Sequence, residues 1–165
     1  MQDMTRIWRS TYLAVLVCGV IFAQNEPKVT IDGDVPRPVQ LAKQDLATLP
    51  RASLTLNEHG TAATYEGVLL YEALKRAGAP LDAQLRGQAL ASYVLAQARD
   101  GYKVVYTLTE LDPAFTDNKI LLADTVNGKP LSETQGPFRL VVPHEKKPAR
   151  SIRMLERLTV VMLRK

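Results

Sequence analysis

The chain has 165 residues, 46% hydrophobic and 23% charged, with a formal net charge of +4. That is one domain's worth of polypeptide, with enough apolar content for a core and none of the bias of collagen-like, coiled-coil or broadly disordered chains. The lone cysteine, Cys18, excludes an intramolecular disulfide and a multi-cysteine zinc site. The two histidines, His59 and His144, argue against a histidine-rich metal centre, and the mild basicity without an aromatic-interleaved basic stripe argues against nucleic acid.

In chain order, the first two dozen residues read as an export signal. Arg6 and Arg9 form a positive start, and Tyr12 to Phe22 is an uncharged apolar run. Ala23 is small and precedes the polar Gln24-Asn25-Glu26-Pro27, so cleavage is expected after Ala23. The expected organisation is a signal peptide over residues 1–23 and one domain over residues 24–165, placed in the periplasm or secreted. The apolar run is too short for a stable transmembrane helix, so no membrane span is expected in the mature chain. An uncleaved anchor and a lipoprotein acylated at Cys18 are the alternatives. Arg6 and Arg9 are separated by Ile7-Trp8, so there is no twin-arginine pair and export as an unfolded chain is the simpler expectation.

Lys28 to Ile31 is a short β-prone run, followed by a turn at Asp32-Gly33-Asp34. Pro36 and Pro38 keep the next stretch extended. Leu41 to Leu49 has leucines near helical spacing and is closed by Pro50, which predicts a short helix. Ala52 to Leu56 alternates as a half-buried strand does, and Asn57 to Gly60 is a turn. Tyr65 to Val68 leads into Leu69–Ala77, where Leu69, Leu70, Ala73, Leu74 and Ala77 form one helical stripe ended by Gly78 and Pro80.

Ala91 to Ala98 and Tyr102 to Thr109 read as two strands around the tight turn Asp100-Gly101, a hairpin whose Tyr102 and Tyr106 share a face. Glu110 and Asp112 fit a cap or surface turn better than an acid–base pair. Ile120 to Ala123 is a short buried strand, Asn127 to Pro130 a turn, and Phe138 to Val142 a strand ended by Pro143. A charged loop, His144 to Arg150, precedes a closing strand within Ser151 to Leu163. No β-α-β alternation appears, so the fold class is α+β: a compact domain with a mixed, largely antiparallel sheet and few short helices. Neither a Ser/His/Asp set nor a glycine-rich phosphate loop can be read.

Five segments in this order resemble the oxidoreductase molybdopterin-binding domain of the sulfite oxidase family. They are Tyr65-Glu66-Gly67-Val68-Leu69-Leu70 with its helix to Gly78; Asp100-Gly101-Tyr102 opening a strand toward Glu110; Asn127-Gly128-Lys129-Pro130-Leu131; Gly136-Pro137-Phe138-Arg139-Leu140-Val141-Val142-Pro143; and Ala149-Arg150-Ser151-Ile152-Arg153. The resemblance covers roughly Lys28 to Val161 and implies a sulfite oxidase-like molybdopterin-binding fold. It implies molybdopterin as the cofactor, with molybdenum held by the pterin dithiolene and one protein cysteine, a soft ligand suited to that metal. In the family that cysteine follows an early strand, where this chain has Leu54 to Gly60 and no cysteine. No cysteine-ligated molybdenum is therefore expected, and His59 is the nearby nitrogen donor.

A pterin phosphate needs backbone N–H groups and cationic donors. The resemblance places that anchorage at Arg150, Ser151 and Arg153, with Arg139 as a further candidate and Lys146 and Lys147 nearby. The expected function is an exported module that binds a pterin-type or other small anionic ligand. An oxidoreductase with non-covalently held molybdopterin and a cofactor-free accessory protein or scaffold that binds a protein partner are the alternatives.

Overall fold

The computed structural model describes residues 26–163 apart from His59. The leader, Cys18 and His59 thus lie outside the described residues. Among the described residues ten strands form two sheets, and two α-helices are interspersed among the strands along the chain. The first sheet has the order β2 (Val39–Ala42), β1 (Lys28–Gly33), β10 (Leu155–Val161), β5 (Tyr93–Ala98), β6 (Lys103–Thr107). Within it β1 and β10 run parallel, with Ile31 opposite Leu158, and the other pairings are antiparallel. The second sheet has the order β3 (Arg51–Glu58), β4 (Thr61–Leu69), β7 (Leu121–Val126), β8 (Lys129–Pro130), all antiparallel. Strand β9 (Arg139–Val141) also pairs with β7, bringing Arg139 opposite Ala123. The α+β class with a mixed, mainly antiparallel sheet is as expected.

The core lies where one face of each sheet meets helix α2 (Leu70–Ala77). Val29, Ile31, Val94, Leu158 and Val160 supply the first sheet, Val68, Leu122 and Leu140 the second, and Leu70, Ala73, Leu74 and Ala77 the helix; all are essentially inaccessible. The helix ends as its sequence predicts. Gly78 takes the left-handed conformation (φ 80°), where a side chain would be strained, and its N–H donates to the Lys75 carbonyl (3.0 Å). The opposite face of the second sheet carries a smaller cluster of Tyr65, Leu121, Ala123 and Val141.

Three elements differ from the sequence reading. The helix expected over Leu41 to Leu49 shrinks to α1 (Lys43–Leu46). Leu41 and Ala42 instead belong to β2, where Leu41 pairs with Val29 and both are buried; sheet pairing outweighs a weak local helical pattern. The stretch before α2 is the central strand β4, not a lead-in. Its alanines and threonines are poor strand signals, but it pairs on both edges, with β3 and β7. Gly67 makes the second pairing possible: a Cβ there would meet the Leu122 carbonyl oxygen at 2.0 Å. Finally, the strand expected from Ala91 starts at Tyr93, because Gly87–Ala91 forms a 3-10 turn. The β5–β6 hairpin around Asp100-Gly101 forms as read.

Candidate anion-binding site

The site is built where the chain doubles back between β9 and β10. The segment from Ser151 to Leu155 returns alongside Gln135 to Val142 and is tied to it by backbone bonds. Leu140 N–H donates to the Ile152 carbonyl (2.9 Å), Met154 N–H to that of Gln135 (2.9 Å), and Leu155 N–H to that of Phe138 (2.8 Å). Val142 N–H completes the series by donating to Ser151 Oγ (3.0 Å). The Pro-Phe-Arg-Leu-Val-Val and Ala-Arg-Ser-Ile-Arg segments, separate in sequence, thereby become neighbours.

Two cavities open on either side of this return. One, of about 360 Å³, is lined by Leu56 and Asn57 at the end of β3, by His144 and Lys146 from the loop, and by Ser151 and Arg153. The other, of about 580 Å³, is lined by Arg139, Lys147, Ser151, Arg153, Tyr102 and Met154, among others. Pro148, Ser151 and Arg153 line both, so they form the partition between them. Volumes of this size suit a small organic ligand.

Three of the expected site residues line these cavities. Ser151 and Arg153 stand at the partition, and Arg139 lines the larger cavity. Ser151 is buried and its Oγ accepts from Val142, which leaves the hydroxyl hydrogen to donate to a ligand. Arg153, Lys146 and Lys147 are exposed, and none makes a side-chain hydrogen bond or ion pair among the described residues. Arg139 is almost wholly buried. Its guanidinium lies 4.5 Å from the Tyr65 ring centroid and donates to Tyr65 Oη (2.5 Å) and Gln135 Oε1 (3.2 Å). Its guanidinium is thus held by the fold at the wall of the larger cavity.

Arg150 lines neither cavity. It points to the other side of the loop, donating to Glu110 Oε2 (2.8 Å) and Glu145 Oε1 (2.9 Å) and stacking 4.7 Å from the Tyr106 ring centroid. Burial works against its charge, but the hydrogen bond to Glu110 and the field of both carboxylates outweigh it and raise its pKa. The Tyr106 hydroxyl donates to the Arg150 carbonyl, and the Tyr102 hydroxyl to that of Ala149 (2.9 Å). Burial pushes the Tyr106 phenol well above its ordinary pKa, so it stays a donor. The two tyrosines read as sharing a face do so, and they pin the loop.

Glu110 and Asp112 are structural. The other Glu110 oxygen accepts from Thr107 N–H (2.7 Å), and Asp112 is buried, accepting from the N–H groups of Asp82 (2.6 Å) and Ala114 (2.9 Å). The segment Leu54 to Gly60, which the resemblance sets at the family's metal-ligand position, reaches the smaller cavity through Leu56 and Asn57, delivered there by the pairing of β3 with β4. Among the described residues no group of three or more His, Cys, Asp or Glu is placed to hold a metal ion, and no helix is long and apolar enough to cross a membrane.

Comparison with known proteins agrees with this architecture. The model of the family described as the oxidoreductase molybdopterin binding domain matches residues 18–164. No curated protein matches the chain. Among solved structures, the sulfane dehydrogenase SoxCD from Paracoccus pantotrophus superposes with a TM-score of 0.63 at 19% identity. The match covers 81% of this chain and 38% of that one, so this chain spans well under half of the larger protein and shares its fold.

Proposed function

Since this chain belongs to the oxidoreductase molybdopterin binding domain family, we propose that it is an exported module that binds a pterin-type or other small anionic ligand between the β9 strand and the loop before β10. The observation that carries this reading is the partition residue Arg153, a cation with no side-chain partner among the described residues, which lines both cavities beside the Ser151 hydroxyl. Lys146 adds to the smaller cavity and Lys147 to the larger. Three mobile or fixed cations around a hydroxyl donor are the chemistry that recognises a phosphate or carboxylate.

The residues fit one part of a molybdopterin and not the other. The phosphate end finds charge and donors. The metal end finds no thiolate, because no cysteine lies within residues 26–163. Lysine and arginine, being cationic, cannot serve as metal ligands at neutral pH. We therefore derive no redox step, and the binding role stands without one. Export to the periplasm or beyond rests on the charged start, the apolar run and Ala23.

Two measurements test the reading. Calorimetric titration with inorganic phosphate should show binding that weakens about tenfold in Arg153→Ala; unchanged affinity there would remove the site. Metal and pterin analysis of protein recovered from outside the cytoplasm, with N-terminal sequencing, should give a chain starting at Gln24 and no stoichiometric molybdenum. Molybdenum near one atom per chain would overturn the non-catalytic reading in favour of an oxidoreductase.

A further inference from the structure

A sheet edge is where a folded chain can still make main-chain hydrogen bonds, and among the described residues one long edge is left open. We propose that strand β3 pairs with the β3 of a second copy of this chain, antiparallel about a two-fold axis at Thr55, so that the second sheet runs on from one copy into the other. The pairing does not depend on what Arg153 and Ser151 bind.

Folded proteins ordinarily blunt an edge with a short strand, a proline, a charge or a covering loop. The other edges here are blunted. Strand β2 has four residues and follows Pro38. Strand β6 begins with Lys103, and its Val105 carbonyl accepts from Arg150 (3.4 Å). Strand β8 has two residues, one of them Pro130, and the three-residue β9 is covered by the return before β10, where Leu140 N–H donates to Ile152. Strand β3 has none of these devices. It runs for eight residues and pairs with β4 in unbroken register from Arg51 to Glu58. Arg51 is engaged by Asp124 in its own sheet, and residues 53–57 include no proline and no charge.

The hydrogen bonds of β4 fix which groups face outward. Thr64 N–H donates to Asn127 Oδ1 (2.9 Å), and the Thr64 carbonyl accepts from Asn127 N–H (2.8 Å), so both face the β7 side. Thr55, directly opposite Thr64, therefore sits in a non-hydrogen-bonded pair, and its own N–H and C=O face the open edge. The unbroken register extends this to Ser53 and Asn57. A two-fold axis at Thr55 sets Thr55 opposite its own copy and Ser53 opposite Asn57 of the second copy. Three such pairs exchange two bonds each, about six in all. The residues between them match as well. Leu54 falls opposite Leu56 of the second copy, on the face where both leucines already pack, half-buried, beside Tyr65 and Val141. The apolar cluster thereby continues across the junction. A charged peptide would find no counter-charge along residues 53–57, whereas the strand complements itself. Each copy offers one such edge, so the assembly closes at two.

Analytical ultracentrifugation of the exported protein over a range of concentrations should show a monomer–dimer equilibrium and nothing larger. Thr55→Pro removes an N–H that the fold itself does not use, at an edge position where proline is tolerated. Its unfolding midpoint should stay close to wild type while the dimer dissociation constant rises about tenfold or more. Thr55→Cys reads the register. The two-fold axis brings its Cα to about 5.5 Å from that of its copy, within disulfide reach, so mild oxidation should give a covalent dimer beyond any that wild type forms through Cys18. Ser53→Cys, set opposite Asn57 and not itself, should stay at the wild-type level. Should Thr55→Pro fail to fold, the two cysteine variants decide alone. A chain still monomeric at about 1 mM would overturn the pairing and leave the edge to an unrelated protein. Assembly beyond two, a folded Thr55→Pro variant that dimerises as tightly as wild type, or equal crosslinking of the two cysteine variants would overturn it as well.

Discussion

Arg150 and Arg153 lie three positions apart on the same loop and do opposite work. The outer side of the loop is closed on itself. Arg150 is taken up by Glu110, Glu145 and the Tyr106 ring, and two tyrosine hydroxyls hold the carbonyls of Ala149 and Arg150. The inner side is open: Lys146, Lys147 and Arg153 have no charged partner among the described residues, and the Ser151 Oγ accepts from Val142 N–H. A basic motif in sequence therefore divides into a fastening and a face that lines the two cavities. The division follows from the loop's geometry, because a chain pinned through one arginine on its outer face presents its near neighbours inward.

The division can be broken or sharpened by substitution. Tyr106→Ala removes a fully buried ring under the fastening and should cost about 3–5 kcal/mol in urea unfolding, the range for large core truncations. A loss below about 1 kcal/mol would mean that the outer side does not hold the loop. Next in size is the contrast between the arginines. Arg153→Ala should lower phosphate affinity about tenfold with the unfolding midpoint unchanged. Arg150→Ala should cost about 1 kcal/mol of stability while phosphate affinity moves by less than about threefold. The opposite pattern would exchange their roles.

The same contrast explains what could be read in advance. Helix α2 and the β5–β6 hairpin were legible because their signals are local: an apolar stripe closed by glycine, and a turn dipeptide between alternating runs. Strand β4 was not, since its stability comes from partners on both edges rather than from its own alanines and threonines. The site shows the same split. Ser151, Arg153 and Arg139 were reachable through the family-like motif. The engagement of Arg150 was not, because Glu110 is 40 positions away and only the fold brings it near. The same motif pointed to Leu54 to Gly60, and the register of β3 against β4 is what delivers Leu56 and Asn57 from that segment to the cavity.

The smallest expected effect concerns a pair remote from the loop, and it serves as a reference. Arg51 donates to both oxygens of Asp124 (2.7 and 2.8 Å) across the intervening β4 strand. Burial pushes the Asp124 carboxyl up, but the hydrogen bonds from Arg51 and Thr125 prevail and hold it below the ordinary carboxylate range. A depressed folded-state pKa adds stability that is present above the unfolded value of about 4 and is lost as pH falls through the folded one. Asp124→Asn should therefore be less stable than wild type at pH 7 by about 1 kcal/mol. The gap should close as both proteins are acidified below pH of about 4. A constant gap would show that the carboxylate charge is not what Arg51 holds. Phosphate affinity at neutral pH should be the same in both proteins.

The parallel pairing of β1 with β10 has a consequence for how the molecule comes to exist at all. The Thr159 hydroxyl meets Asp32 across 127 positions of chain, and β10 stands between β1 and β5 in the first sheet. The middle strand of that sheet thus pairs with a strand from the far end of the domain sequence. The core cannot be completed until β1 and β10 have met, and high contact order of this kind slows the search. A chain shortened before Leu155 should therefore remain a collapsed, protease-sensitive species instead of a smaller working domain.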